Sequence, residues 1–449
     1  MQHATNTHGL TPAAFSRIAA ALFALAGTGL VTCFVTGCGT AQPDNNGPAD
    51  ESRGPLTVIA SGGPVARVPL KKVAEFATYQ ATGVTVRADG KVIVSAPRWH
   101  STFVGPSVAL LTGSTQDSLR PLPDAEWNSL SLSLSPGAEA ETDLHAAAKA
   151  MAAGAENLLT KWVCVQSVYT DRTGRIWVLD PASPGITGVV RDSAGNGPKL
   201  VELSASGSQV VRTIAFDAAV APEKSYLNDV RIDVAANIAY LSDSGLGGIV
   251  IVNLADGTAR RVLDGHPSVL AEDGVVPKVQ GQELRVGGAA DGPVLKINSD
   301  GIALDEVRGY LYWQPLTGRS LHRMRTKVLA DAARTPAELA EAIETVMPSV
   351  VTDGMEVDVK GNIFFTALEQ DAVVMRIPDG RLIPLAGGPE LAWPDSLAFG
   401  PGGTMYVSSS RIHRSAWFAA ADAMPTAGCG SAIFKLTLPA SVTKLPMKP

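Results

Sequence analysis

Cysteine is scarce in this chain, and so is charge. Only four cysteines occur in 449 residues, at positions 33, 38, 164 and 429. No two form CxxC and none stands with histidine at zinc spacing, so zinc modules and dithiol redox motifs are excluded. Charged residues make up 18% and the net charge is −6. That balance gives no basic footprint for nucleic acid and no polybasic patch for anionic lipid. A nucleophile elbow, a phosphate loop and a dinucleotide fingerprint are all missing.

What is present is punctuation. The 44 glycines and 30 prolines cut the chain into short apolar runs rich in Val, Ile and Tyr, which read as strands of antiparallel meanders. One pattern recurs: a polar pair, a strand, a tight turn and a second strand. Asn228-Asp229 leads VRIDVAANIAYLSD, Gln166-Ser167 leads VYTDRTGRIWVLD, and Asp300-Gly301 leads IALDEVRGYLYWQ. Asp353-Gly354 leads MEVDVKGNIFFTA, and Asp395-Ser396 leads LAFGPGGTMYVSS. A sixth copy, VTVRADGKVIVSA, follows Thr82-Gly83. The pairs begin at 82, 166, 228, 300, 353 and 395, so the gaps are 84, 62, 72, 53 and 42. Six units of that length predict an all-β six-bladed propeller, one blade per unit, with each polar pair opening the innermost strand. An irregular β-sandwich is the alternative. One of the apolar runs between Leu56 and Phe76 is expected to pair with the last blade and close the ring, removing its open edges.

Two inserted helices are predicted. One is Ala-rich, around Asp143–Leu159, with Thr142 as a cap. The other opens on the capping box Thr335-Pro336-Ala337-Glu338 and should reach about Val346 before Pro348. Both are expected between blades, on one face of the disc, as packing or as a lid over the channel.

The first residues read as a targeting segment. Arg17 precedes an apolar run from Ile18 to Val35, and Val35-Thr36-Gly37-Cys38 fits a lipobox, which makes Cys38 the lipidation candidate. A plain secretory signal is the alternative. The division expected is a signal over 1–38, a flexible tether over 39–55 and a propeller over 56–449. The folded part is then exported, as a cell-envelope lipoprotein attached to the membrane or as a secreted protein. Cys164 and Cys429 could pair there, or Cys164 could be a buried apolar residue.

Gln166, Asn228, Asp300, Asp353 and Asp395 would converge on one mouth of the channel as a ligand-binding ring. Oxygen ligands of this kind suit Ca²⁺ or Mg²⁺. The same ring suits a cationic amine with an aromatic body, with Trp99, Trp313, Phe365 and Tyr406 near enough to offer ring faces. For each carboxylate taken alone, a turn role is the plainer reading. Asp171, Asp233, Asp305 and Asp358 recur after the inner strands and read as hairpin-turn residues. Asp353 and His100 are the candidate catalytic groups, His100 because imidazole moves protons near neutral pH.

Several of these stretches resemble one family. VIVSAPRWHS, VQSVYTDRTGRIWVLD, the 226–254 stretch, DGIALD…GYLYWQPLTGRSLHRMRT and TDGMEVDVKGNIFF are similar, in order, to the first five blades of the yellow / major royal jelly protein family. The resemblance runs from Val84 to Lys435. It implies a six-bladed, secreted propeller. Some members are linked to conversion of dopachrome-like quinones, some bind amines in the central channel, and some are nutritive. DGMEVDVKGNIFF and Asn228-Asp229 also resemble gluconolactonase-type propellers, which implies one divalent cation with Asp353 and Asn228 in two of its ligand places; the lactone-hydrolase alternative sets the metal at Asn228, Asp300 and Asp353. The Glu-Gly-Pro motif of those enzymes is absent here. The reading is an exported propeller that binds a small aromatic amine or quinone and isomerises it. The alternatives are a cation-dependent lactone hydrolase and a binding protein without catalysis.

Overall fold

The computed structural model describes residues 68–99, 103, 105–130, 141–155, 157–184, 188–415, 417–418, 430–440 and 442. Cys38, His100 and Cys429 lie outside them, as do the signal and tether. Six four-stranded antiparallel sheets form a ring. Their innermost strands are Gly83–Val86, Ser167–Thr170, Leu227–Asp233, Ser299–Asp305, Thr352–Val357 and Pro394–Gly400, for blades 1 to 6 in turn. Each polar pair opens or immediately precedes its inner strand, as expected. Closure is also as expected: Lys71–Phe76 pairs antiparallel with Ser431–Thr437 and supplies the outer strand of blade 6.

The core is divided among the gaps between blades. Six apolar clusters fill six interfaces, for example Leu179, Val230, Ile232 and Leu241 between blades 2 and 3, and Phe364, Phe399, Met405 and Phe434 between blades 5 and 6. Each fully buried side chain of this size contributes about 1.5–3 kcal/mol. The inner strands are buried along nearly their whole length, so their two faces serve two neighbouring blades at once.

The helices differ from expectation. The Ala-rich helix spans Glu141–Gly154, so Thr142 lies inside it and cannot cap it. It lies between blades 1 and 2 and packs Ala148 and Ala152 on Val163, Ala182 and Val190. The capping box at Thr335 forms, with both reciprocal hydrogen bonds, but its helix is only Pro336–Glu341. Residues Glu344–Pro348 become the outer strand of blade 4 instead, paired to Ser320–Arg325. A free strand edge outcompetes another helical turn there. This helix thus sits within blade 4, with Leu339 in the blade 3–4 core. A third, four-residue helix covers Thr326–Leu329.

The cover over the channel is something else: the connection 264–298 between blades 3 and 4. It carries a two-stranded hairpin, Lys278–Val279 with Gln282–Glu283. Gln280 Nε2 donates to the Pro389 carbonyl at 3.0 Å, and the Gly287 amide donates to the Trp417 carbonyl at 2.6 Å. The strap therefore reaches from blade 3 across to blade 6. Among the described residues no helix is long and apolar enough to cross a membrane.

Candidate ligand site at the channel mouth

The polar pairs are bulges, not turns. In blades 3 to 6 the pairing register slips by one residue at Asn228-Asp229, Asp300-Gly301, Asp353-Gly354 and Asp395-Ser396. A bulge re-aims side chains and leaves backbone groups unpaired. Hydroxyls on the neighbouring strand take up those groups. Ser242 Oγ accepts from the Asp229 amide, Thr366 Oγ1 from the Asp353 and Gly354 amides, and Ser408 Oγ from the Ser396 amide. Ser242 and Ser408 then donate to Asp300 and Thr82 carbonyls of the next blade. The glycines follow from crowding. A Cβ on Gly301 would run into the Asp353 carbonyl, and one on Gly354 into the Asp395 carbonyl.

The predicted ring divides into two halves. On blades 2 and 3 the amides are committed. Gln166 Oε1 accepts from Tyr226 Oη at 2.8 Å, and Tyr226 Oη accepts from Trp99 Nε1 at 2.8 Å. Asn228 Nδ2 donates to Ser244 Oγ at 3.0 Å. On blades 4 to 6 the carboxyls converge. Asp300 and Asp353 hydrogen-bond each other, with Asp395 and Asp229 close enough to act on them. Burial, then the charge of Asp353, holds Asp300 and Asp395 well above the usual carboxylate range. Burial pushes Asp353 up to about 7, partly offset by the Trp393 indole N–H at 2.8 Å from its Oδ2. Asp300 and Asp353 thus share a proton, as close buried carboxylates must. Among the described residues no Lys, Arg or His forms a salt bridge with Asp300, Asp353 or Asp395.

Two of the three expected cation ligands have other bonds in this structure. Asn228 is committed within its own blade, and an N–H donor occupies Asp353 Oδ2. Among the described residues no group of three or more His, Cys, Asp or Glu is arranged to hold a metal ion. The aromatic neighbours also differ from those expected. Trp313 is buried between blades 3 and 4, Phe365 between 4 and 5, and Tyr406 between 6 and 1. Of the four, Trp99 alone joins the mouth. There it packs with Tyr226, Cys164, Trp393, Phe418 and the strap residue Leu284 in an apolar cap. Cys164 is a free, buried thiol.

Trp393 and Tyr226 were not among the residues the sequence pointed to, yet a signal exists. Each stands two residues ahead of its polar pair, as do Gln80, Cys164, Asn298 and Val351. Four of these six positions lie in the cap.

Below the bulges the channel narrows. A cavity of about 40 Å³ is lined by Thr85, Tyr169, Thr170, Asp229, Arg231 and Glu356, among others. That holds water but no aromatic ring, which needs on the order of 150 Å³. Arg231 Nη2 lies 3.6 Å from Glu356 and Nη1 3.8 Å from Asp229, and Arg172 Nε lies 3.0 Å from Glu306. The Arg231–Glu356 and Arg172–Glu306 pairs each skip a blade and so span the lumen. The hairpin aspartates are structural, as read: Asp171, Asp233, Asp305 and Asp358 accept turn amides.

The family profile described as Major royal jelly protein matches residues 163–388, half of the chain. The chain belongs to that family. No curated protein gives a significant match. Among solved structures the chain is similar to a streptogramin B lyase, at 12% identity over 82% of this chain and 98% of that one, TM-score 0.43. It is similar to a luciferin-regenerating enzyme at 11% identity, over 84% and 97%, TM-score 0.46. A gluconolactonase of Xanthomonas campestris is 12% identical, over 83% and 92%, TM-score 0.44. Likeness of that degree carries nothing about this chain's chemistry.

Proposed function

We propose that this major royal jelly family propeller binds a small organic cation, an aromatic amine, at the channel mouth. One observation carries the reading. Among the described residues Asp300, Asp353 and Asp395 are buried together without a basic partner, and such a cluster can ionise only beside a counter-charge. An ammonium group supplies it. The aromatic body would lie above the bulges, against Trp99, Tyr226 and Trp393, since the channel below is too narrow. The strap 264–298 must then move to admit the ligand. A quinone isomerisation needs a proton taken from carbon and one returned to oxygen. Asp353, held at about 7, is poised to carry such a proton near neutral pH. His100 stays a candidate partner in that step.

The test is calorimetric titration of the purified protein with phenethylamine, with and without chelator, beside a dopachrome absorbance assay. Chelator-independent amine binding is expected. Absence of amine binding, with chelator-sensitive lactone hydrolysis in its place, would establish the metal-dependent alternative. Amine binding without dopachrome turnover would leave a binding protein. Export with acylation at Cys38 is part of the same proposal: a fatty-acid probe should label the wild type and not Cys38→Ala.

A further inference from the structure

Buried polar atoms in folded proteins are nearly all paired, and each exception asks for a reason. Several exceptions here gather at one corner of the mouth, where blade 6 meets blade 1. Among the described residues, Gln80 Oε1, Asp395 Oδ2, Ser415 Oγ and both ring nitrogens of His413 find no hydrogen-bond partner. All four residues are more than nine-tenths buried. They are tied to one short loop, 410–415. Gln80 Nε2 donates to the Ser410 carbonyl at 3.2 Å, and Asp395 also bonds to Ser410. The His413 ring stacks on Trp393, centroids 6.3 Å apart and planes 6° from parallel. Trp393 itself holds Asp353 through its indole N–H. It does so from a left-handed backbone, φ 50°, that bulky residues rarely adopt. Such strain persists where the surroundings enforce it, commonly at ligand sites.

We infer that Gln80, His413 and Ser415, beside Asp395, form a second subsite of the mouth, one that takes an uncharged hydroxyl or carboxamide at the far end of the ligand. The inference deepens the cation-binding reading and rests on it for the ligand's other end. Burial, reinforced by Arg414 and Arg411, pushes His413 down to about 4, so the ring is neutral near pH 7. It then offers one donor and one acceptor, and Gln80 Oε1 offers a further acceptor. A hydroxyl can donate to one of these acceptors and accept from a neighbouring donor, so it can pair part of this set. A ligand lacking the group would leave the corner unpaired, the situation in which polar sites discriminate best.

The experiment uses the full chain, four probes and two variants, His413→Phe and Gln80→Met. Tyramine should bind at least tenfold more tightly than phenethylamine to the wild type, and the two should bind alike to the variants. Phenol should shift the His413 ring resonances in NMR spectra of histidine-labelled protein, assigned by their loss in His413→Phe, and toluene should not. His413→Phe should not lower the melting temperature, because it removes two unpaired ring nitrogens, whereas Gln80→Met also removes the bond to the Ser410 carbonyl and should lower it slightly. Equal affinity of the two amines for the wild type, with phenol leaving His413 unmoved, overturns the subsite and leaves the cation reading standing. Amines that fail to bind while phenol still shifts His413 overturn the cation reading and keep the subsite. Absence of any response to all four probes overturns both. A lowered melting point in both variants with tyramine preference intact makes these residues structural and also overturns the subsite.

Discussion

The two ends of one channel treat charge in opposite ways. In the lower channel Arg231 and Arg172 reach across the lumen to Glu356 and Glu306, and every blade-skipping pair carries both signs. At the mouth, Asp300 and Asp353 hydrogen-bond each other, Asp353 accepts from an indole N–H, Asp395 lies close enough to act on them, and among the described residues no cation joins them. The same inner strands supply both ends. The lower end is therefore a tie that fixes blades against each other. The mouth stores unfavourable electrostatics, which a binding partner would relieve.

Breaking the lower end should have the largest effect. Arg231→Met leaves Asp229 and Glu356 buried without their cation, which costs about 3–5 kcal/mol when one partner of a buried pair is removed. Denaturant titration should show that loss, and a loss below 1 kcal/mol would mean the pairs do not tie the ring. The matching change at the mouth is Asp353→Asn. It should weaken phenethylamine binding well over tenfold, since losing a buried charge partner costs roughly 2–5 kcal/mol. Its melting point should hold or rise, because carboxylate repulsion is relieved. Unchanged affinity with a lower melting point would remove Asp353 from the site.

Gly354→Ala tests whether the bulges need their close approach. The new methyl meets the Asp395 carbonyl, and overpacking of this kind costs about 1–3 kcal/mol. The equivalent change at Gly402, where no atom lies within 4 Å, has no such clash; its cost is the positive φ of 68° alone. Equal destabilisation of the two variants would refute the crowding argument.

The same contrast can be read in pH dependence. Asp353 titrates near 7 when folded against a model value of 3.8, so between those values the folded state binds the extra proton. Stability from this group is greatest at acid pH and falls as pH rises, by about 1.4 kcal/mol per unit and proton in that window. His413, depressed to about 4 from 6.5, acts oppositely between those two values, since the unfolded chain there binds the proton. Asp300 and Asp395 are raised like Asp353, so the carboxyls outweigh the single imidazole. Melting temperature should fall from pH 4 to 7, less steeply in Asp353→Asn and more steeply in His413→Phe. Amine affinity should rise over the same range as Asp353 ionises.

The repeat was legible because propeller blades reuse one local solution. The polar pair, the hairpin and the apolar alternation all act within some fifteen residues, so 228–243 and 353–367 announce the same blade. Closure by the 71–76 strand was legible too, as an apolar run left over before the first unit. The aspartates at the mouth were visible as members of the repeat. Their division from Gln166 and Asn228 was not, because it depends on Tyr226 and Ser244 as bonding partners. The strap was overlooked because 264–298 carries no period of its own and appeared only as a long gap between two units.

By itself, the sequence determined the number of blades, the inner strands and which residues could meet at the mouth, because those rest on local pattern repeated six times. Tertiary structure alone decided that Trp393 holds Asp353, that Arg231 crosses to blade 5, and that His413 lies buried against the mouth. Each joins residues by side chains across separate loops or blades. The energy of such contacts, between about forty and more than a hundred residues apart in the first two cases, depends on distance in space, and no local pattern encodes it.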